Sequence, residues 1–325
     1  GEYSSPLFAC PEEDGDGRHF PETLDLSQER LRGDLPIPSM FLGYIGERGS
    51  GKKEVKKSLY RGIGSDGTVP TGTVFFVKSG DIRSRCRDWQ FASASGELAL
   101  LKVQSIITTN MPKGCTGVVG LMMGADVVDT ERGNTYLPGC MAEHLTSAAG
   151  EFTSAAQTKL TEWIKAGATA SAGTVTEPYS IWEKFPHARF FVHYASGCTM
   201  LESFYQSIKC PLQITLVGDP LAQPWASKTG IEISKCEKGQ GEGALTVAVK
   251  VAPARGSHYG KLMFLVDGRA VKPANGAGLG PGTSGTREAE LRPVNMKKGR
   301  HTLRVVAYQT GLVRHQVFAE REFDF

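Results

Sequence analysis

Between residues 39 and 226, continuous apolar runs alternate with stretches of helical period, and beyond Trp225 the helical stretches stop. That switch constrains the fold more than any motif. A strand covered on both faces by helices reads as an unbroken apolar run, and its parallel neighbour is reached through a helix. The runs "SMFLGYI" (39–45), "TVFFVK" (73–78), "SIITT" (105–109), "GVVGLMM" (117–123), "CMAEHLTS" (140–147), "ATASAGTV" (168–175) and "LQITLVGDP" (212–220) read as strands, with 140–147 a short one. Between them, "KKEVKKSLYRGI" places Val55, Leu59 and Ile63 on one helical face, and "GELALLKVQ" closes a second helix. "SAAQTKLTEWIKAG" (154–167) turns Leu160, Trp163 and Ile164 inward, with Gly167 as its C-terminal stop. The predicted fold of this part is α/β, a mainly parallel sheet covered by helices on both faces.

From residue 230 to 325 the pattern is alternating strand, as in "ALTVAVKVA", "YGKLMFLVDGRAV", "REAELRPV", "HTLRVVAY" and "HQVFAEREFDF", and Asp267-Gly268 sits where a tight hairpin turn belongs. A segment of this size and pattern predicts an all-β, immunoglobulin-like sandwich. "ANGAGLGPGTSGT" (274–286) reads as a long flexible loop within it, and residues 1–38, rich in Pro, Gly, Glu and Asp, as an extended arm. The expected organisation is an arm (1–38), an α/β domain (39–226) and a sandwich (230–325).

Charge and cysteine content exclude several functions. A net charge of +3 over 325 residues, with no long basic block, gives no footprint for nucleic acid. No window of 18 uninterrupted apolar residues suggests a transmembrane helix. Seven cysteines without C-x-x-C spacing argue against a zinc ribbon or a thioredoxin motif, and leave the redox compartment undecided. No metal or cofactor is expected. The chain starts at Gly1 without a signal-peptide pattern, which fits a removed leader or the downstream piece of a cleaved precursor.

Gly46 to Lys53 reads G-x-x-x-x-G-K-K, one residue from the phosphate-cradling loop of nucleotide hydrolases. Lys53 stands where a Ser or Thr would hold magnesium. An ammonium cannot ligate a cation, so the segment reads as a Gly-rich strand-to-helix turn.

Function in a parallel sheet collects at the carboxyl ends of its strands. Here those ends carry Asp81, Arg83, Arg85, Cys86, Arg87 and Asp88, then Asp126 and Asp129, then His144, Thr146 and Ser147, then Glu177 and Tyr179, then Asp219. Three arginines after one strand would suit a carboxylated or phosphorylated ligand. Cys140 and His144 are four apart, which on a strand places them on one face but about 13 Å from each other, beyond proton-transfer reach. Metal binding by that pair has no dedicated spacing. His187 and His193, in "PHARFFVHY", read as helix-packing or surface residues.

The runs "FLGYIGERG", "DIRSRCRDWQF", "LPGCMAEHLTSAAGEF", "LTEWIKAGATASAGTVTEPY" and "LVGDPLAQPW" resemble a poorly characterised bacterial family, frequent in planctomycetes and related phyla, whose members are usually exported. The resemblance spans about residues 36–226. "FLVDGR" and "KKGRHTLRVVAY" are similar to extracellular β-sandwich modules. The layout of a strand, "TSAAGEF", an amphipathic helix and "AGATASAGTV" is in turn similar to the caspase-like fold of gingipain-type cysteine peptidases, where a His-Gly follows one strand and a Cys ends the next. Carried onto this chain, the His-Gly place falls at Met123-Gly124-Ala125 and the Cys place near Thr146-Ser147. Neither dyad residue is present, and a serine hydroxyl without a base is a poor nucleophile.

The resemblance implies an exported, extracytoplasmic protein with a caspase-like domain of structural, binding or assembly role. The alternative is a hydrolase, most plausibly a cysteine or serine peptidase, with Cys140 or Ser147 as nucleophile, His144 as base, and Glu177 or Asp126 as orienting groups. Arg83, Arg85 and Arg87 are the candidate ligand-binding residues. Family members carry a further upstream segment that supplies the first strands of the sheet. This predicts that a cleaved upstream fragment, or a second copy of the chain, covers an otherwise exposed apolar edge.

Overall fold

A computed structural model describes residues 40–226, 230–241, 243–252, 259–274, 284–294, 296–309 and 316–325. The expected arm (1–38) and most of the expected loop at 274–286 lie outside these residues. The chain divides into two units, the first ending at Ala226 and the second beginning at Ser227.

Among its described residues the first unit is built on seven strands: β1 (Met40–Phe41), β2 (Thr73–Val77), β3 (Gln104–Thr108), β4 (Val118–Gly124), β5 (Tyr136–Leu145), β6 (Ala170–Thr174) and β7 (Ile214–Gly218), in the spatial order β1-β7-β6-β5-β4-β2-β3. β2 to β6 run parallel, while β7 is antiparallel to β6 and β1 parallel to β7. The sheet is therefore mainly parallel, with two reversed strands at one side. The buried rows of β2, β4, β6 and β7 explain why they read as continuous apolar runs.

Helices α1 (Lys52–Ile63) and α4 (Leu160–Ala166) lie on one face, and α3 (Phe91–Leu100), α5 (Phe190–Ala195) and α6 (Met200–Gln206) on the other, with the short α2 (Ile82–Arg85) following β2. On the α3/α5 side, Phe76 stacks on Phe91 and meets Phe191 edge-on. Gly120 leaves room for the Phe191 ring against β4: a methyl there would come within 2.3 Å of it. On the other side, Phe75, Leu121, Cys140 and Trp163 share a core. Arg61 ties α1 to the end of α4 through the carbonyls of Ile164 and Ala168.

Several boundaries differ from the sequence expectation. β1 is two residues, not seven. On α1 the buried residues are Ser58 and Gly62, with Val55 and Leu59 half-buried; Ile63 points outward, 66% exposed. Glycine and serine sit inward because α1 packs close, and a Cβ on Gly62 would strike the Asp219 carboxylate. β5 is ten residues long rather than short. Gly139 at φ +86° carries the strand through a register shift, held by Thr169 Oγ1 on its N–H and by the Tyr194 hydroxyl on its carbonyl. α4 begins at Leu160 and not at 154, because Gln157 takes a left-handed φ of +63° that interrupts a helix. Gly167, at φ +124°, ends α4 as expected.

Among the described residues, the strands of this sheet run from Met40 onward, with β1 and β3 at its two edges. The edge question narrows to β1, where Phe41, Leu42 and Ile45 are about half exposed, and β3, with Ile106 and Ile107 partly exposed.

Among the described residues the second unit is a seven-stranded antiparallel sandwich. β8 (Ile231–Lys238), β9 (Leu245–Val251) and β12 (Gly285–Leu291) form one sheet, in the order β12-β9-β8. β10 (Tyr259–Val266), β11 (Arg269–Val271), β13 (Arg300–Gln309) and β14 (Gln316–Asp324) form the other, in the order β11-β10-β13-β14. One core, with Leu245, Val247, Phe264 and Val305 at its centre, fills the space between them. Asp267 and Gly268, at φ +48° and +76°, make the hairpin turn that the dipeptide predicted. β8 was not expected: "IEISKCEK" is charged enough to read as loop, yet Ile233 and Cys236 reach the core from an edge strand whose register slips between Ile233 and Lys235.

Candidate functional site

The carboxyl ends of β4 and β5 lie side by side, with Met123 opposite His144 and Gly124 opposite Leu145. Side chains alternate along β5, so Cys140, Ala142 and His144 face α4 while Met141, Glu143 and Leu145 face the α3/α5 side.

His144 is 1% exposed. Its Nδ1 accepts the indole N–H of Trp163 at 2.9 Å, and its Nε2 lies 3.1 Å from the carbonyl oxygen of Thr158. An indole can only donate and a carbonyl can only accept, so the neutral Nε2–H tautomer is fixed. Burial lowers its pKa to about 4, against the pull of the Thr158 carbonyl. Both nitrogens are committed to structure, and neither can take a proton from a nucleophile.

Cys140, on the same strand face, is fully buried, and burial pushes its thiol far above the ordinary value with only Arg61 opposing. A reactive thiolate needs the reverse environment. Ser147 follows β5 half-buried, and the carbonyls of Thr146 and Ser147 both accept the Thr174 hydroxyl, at 2.7 and 2.9 Å. The Thr146 hydroxyl is buried without a hydrogen-bond partner among the described residues. Asp126 is exposed; its carboxylate accepts the Val127 N–H and its carbonyl the Thr158 N–H. Glu177 is exposed and accepts the Tyr179 N–H at 2.8 Å. Neither carboxylate orients His144, whose partners are Trp163 and Thr158. The five candidates for a catalytic set are not brought together as one.

The three arginines also separate. Arg83 pairs with Asp81 at 3.2 Å, and Arg85 is exposed. Arg87 is fully buried, 2.6 Å from Glu143, and donates to the carbonyls of Met123 and Pro186. It is a structural cation joining the β2 loop to β5, not a ligand-binding one. Burial raises the Glu143 pKa to about 7 while Arg87 pulls it down. Sequence reasoning missed Glu143 altogether, since an acid inside an apolar strand pairs with a residue 56 positions away in sequence.

A second feature missed in the sequence is Lys159, which is 4% exposed and donates to the carbonyls of Ala148 and Ala156, both at 2.7 Å. It lines a pocket of about 470 Å³ together with Arg48, Asp129, Glu131, Gln157 and Glu162. The pocket mixes charges of both signs: Arg48 is paired with Glu47, and Lys165 on the rim with Glu162. His187 lies half-buried between Trp89 and Trp182, and His193 is buried on α5; burial lowers both to about 4.

The Gly46–Lys53 loop is a turn. The N–H of Gly49 goes to the Gly46 carbonyl and that of Ser50 to the Tyr44 carbonyl, so these amides are spent within the loop. Among the described residues, no group of three His, Cys, Asp or Glu side chains could hold a metal ion, and no helix is long and apolar enough to cross a membrane. Cys210 is disulfide-bonded, and Cys86, Cys115, Cys140, Cys198 and Cys236 are free.

No family model and no curated protein matches this chain. A solved structure described as "Structure of Protease" aligns over 83% of this chain and 71% of its own, with 9% identity and a TM-score of 0.39.

Proposed function

We propose that this chain is an exported, non-catalytic protein in which a caspase-like α/β domain and an immunoglobulin-like sandwich serve binding or assembly outside the cytoplasm. The observation that carries the reading is the state of His144: buried, neutral and held by Trp163 and Thr158 on both nitrogens. It stands beside the strand ends where the resemblance locates a dyad, at Met123-Gly124-Ala125 and Thr146-Ser147, and neither place has a histidine or a cysteine. The caspase-like assignment draws support from β4 and β5 lying parallel and adjacent, followed by α4 and then the small-residue strand β6. The disulfide at Cys210 favours an oxidising compartment. The exposed apolar residues of the β1 and β3 edges favour a covering partner, either the chain's own upstream fragment or a second copy.

Labelling of the native protein with iodoacetamide and a fluorophosphonate, followed by peptide mapping, tests the absence of chemistry. Half-exposed Cys86 and Cys115 should be alkylated, with Cys140 and Ser147 left unlabelled. Native-state labelling of Cys140 or Ser147 that His144→Gln abolishes would make the chain a hydrolase instead.

A further inference from the structure

The sandwich carries a groove of about 740 Å³ between the β10–β11 hairpin and the segment leading into β13. Its charges do not balance. Asp267 is the acidic residue in its lining, and its carboxylate is already engaged by His301 Nδ1 at 2.6 Å and by the Thr302 N–H at 3.0 Å. The other ring nitrogen of His301 meets the Lys297 carbonyl at 2.7 Å. With an acceptor on each nitrogen, the ring is held as an imidazolium that cancels the Asp267 charge. Arg292 is paired with Glu290 at 2.8 Å. That leaves Arg269, Lys272 and Lys297, all exposed and none within ion-pair distance of a carboxylate among the described residues, although Arg269 lies near enough to Asp267 to help hold its pKa down.

We propose that this groove binds an acidic polysaccharide, with Arg269, Lys272 and Lys297 receiving its carboxylate or sulfate groups. Three unpaired cations around one concavity focus a positive potential that single surface lysines do not. Between them the lining is aliphatic, with Val271, Pro293, Val294 and Met296, and among the described residues it holds no Phe, Tyr or Trp ring and a single imidazole, His301, whose two nitrogens are already engaged. The stacking platforms that hold single-stranded nucleic acid are therefore missing. An acidic peptide added as a further strand is also disfavoured: β11, the sheet edge, is three residues long and is soon followed by Pro273.

The test uses the full chain against immobilised dextran sulfate and polygalacturonate, with neutral dextran, polyglutamate and duplex DNA alongside. Binding to one or both acidic polysaccharides is expected, falling as salt rises; retention on dextran sulfate alone assigns the groove to sulfates, and on polygalacturonate alone to carboxylates. Arg269→Glu/Lys272→Glu should weaken it at least tenfold. Lys297→Ala, a milder change at an exposed position, should weaken it several-fold with an unchanged melting temperature. Lys56→Glu/Lys57→Glu, the same charge change on exposed positions of α1, should leave it unaltered. The proposal is overturned by no retention on either polysaccharide, by equal losses in the groove and α1 variants, or by tighter binding to DNA or polyglutamate at matched salt.

Discussion

Replacing His144 by Gln should flatten the acid sensitivity of the α/β unit. In the native protein the ring is neutral, with its pKa lowered from 6.5 to about 4, whereas in the unfolded chain it titrates normally. A depressed folded pKa contributes stability that is fully present above the unfolded value and is lost as pH falls through the folded one. At about 1.36 kcal/mol per pKa unit, His144 alone removes roughly 2.5 kcal/mol between about pH 7.5 and 4.5. Gln cannot charge, and its amide oxygen can still accept from Trp163. All four tryptophans (Trp89, Trp163, Trp182 and Trp225) belong to the first unit, so fluorescence-detected urea unfolding follows that unit. His187 and His193 also destabilise on acidification, whereas Glu143, raised to about 7, contributes stability below pH 4.5 that is lost as pH rises through 7. These groups titrate in both proteins and cancel in the comparison. The wild type should lose about 2.5 kcal/mol more than His144→Gln over this range. Equal losses would refute the buried, neutral ring, and with it the argument that His144 is unavailable as a base.

Two further substitutions test the core around the site. Arg87→Met leaves Glu143 buried without its cation, so that it must bind a proton or remain an unpaired carboxylate, and should cost about 3–5 kcal/mol above pH 7 in the same unfolding assay, while Arg87→Met/Glu143→Leu, which removes both charges, should recover much of that loss. Gly120→Ala drives a methyl into the Phe191 ring and should cost about 1–3 kcal/mol, partly relieved by Phe191→Leu, as read from melting temperatures.

The two-part organisation was legible because burial leaves periodicity. The apolar rows of β2 and β4 and the alternation of β9 and β13 could each be read in the sequence. The hairpin at Asp267-Gly268 was legible because left-handed backbone selects those residues. Local signals failed where a distant residue decided the outcome. The strand read as 140–147 starts earlier, at Tyr136, because Thr169 and Tyr194 satisfy the Gly139 backbone within β5. Ile63 looked inward by helical period, but close packing selected Gly62 and Ser58 instead.

The site was less legible for the same reason. Loop composition gathered Arg83, Arg85 and Arg87 into one cluster, yet only the tertiary fold shows that Arg87 belongs to Glu143 and Arg83 to Asp81. His144 read as a candidate base at a strand end because nothing local announces Trp163 and Thr158 as its partners. The strand spacing of Cys140 and His144 did carry usable information, since a four-residue separation on one strand already argued against a dyad between them.

The most direct test of the central claim is to incubate the purified chain with a proteome-derived peptide library and map new termini by mass spectrometry, beside Cys140→Ser and Ser147→Ala variants. The account predicts that wild type and variants give the same background set of termini. A set of cleavages made by the wild type and abolished by either variant would contradict it and make this chain a peptidase.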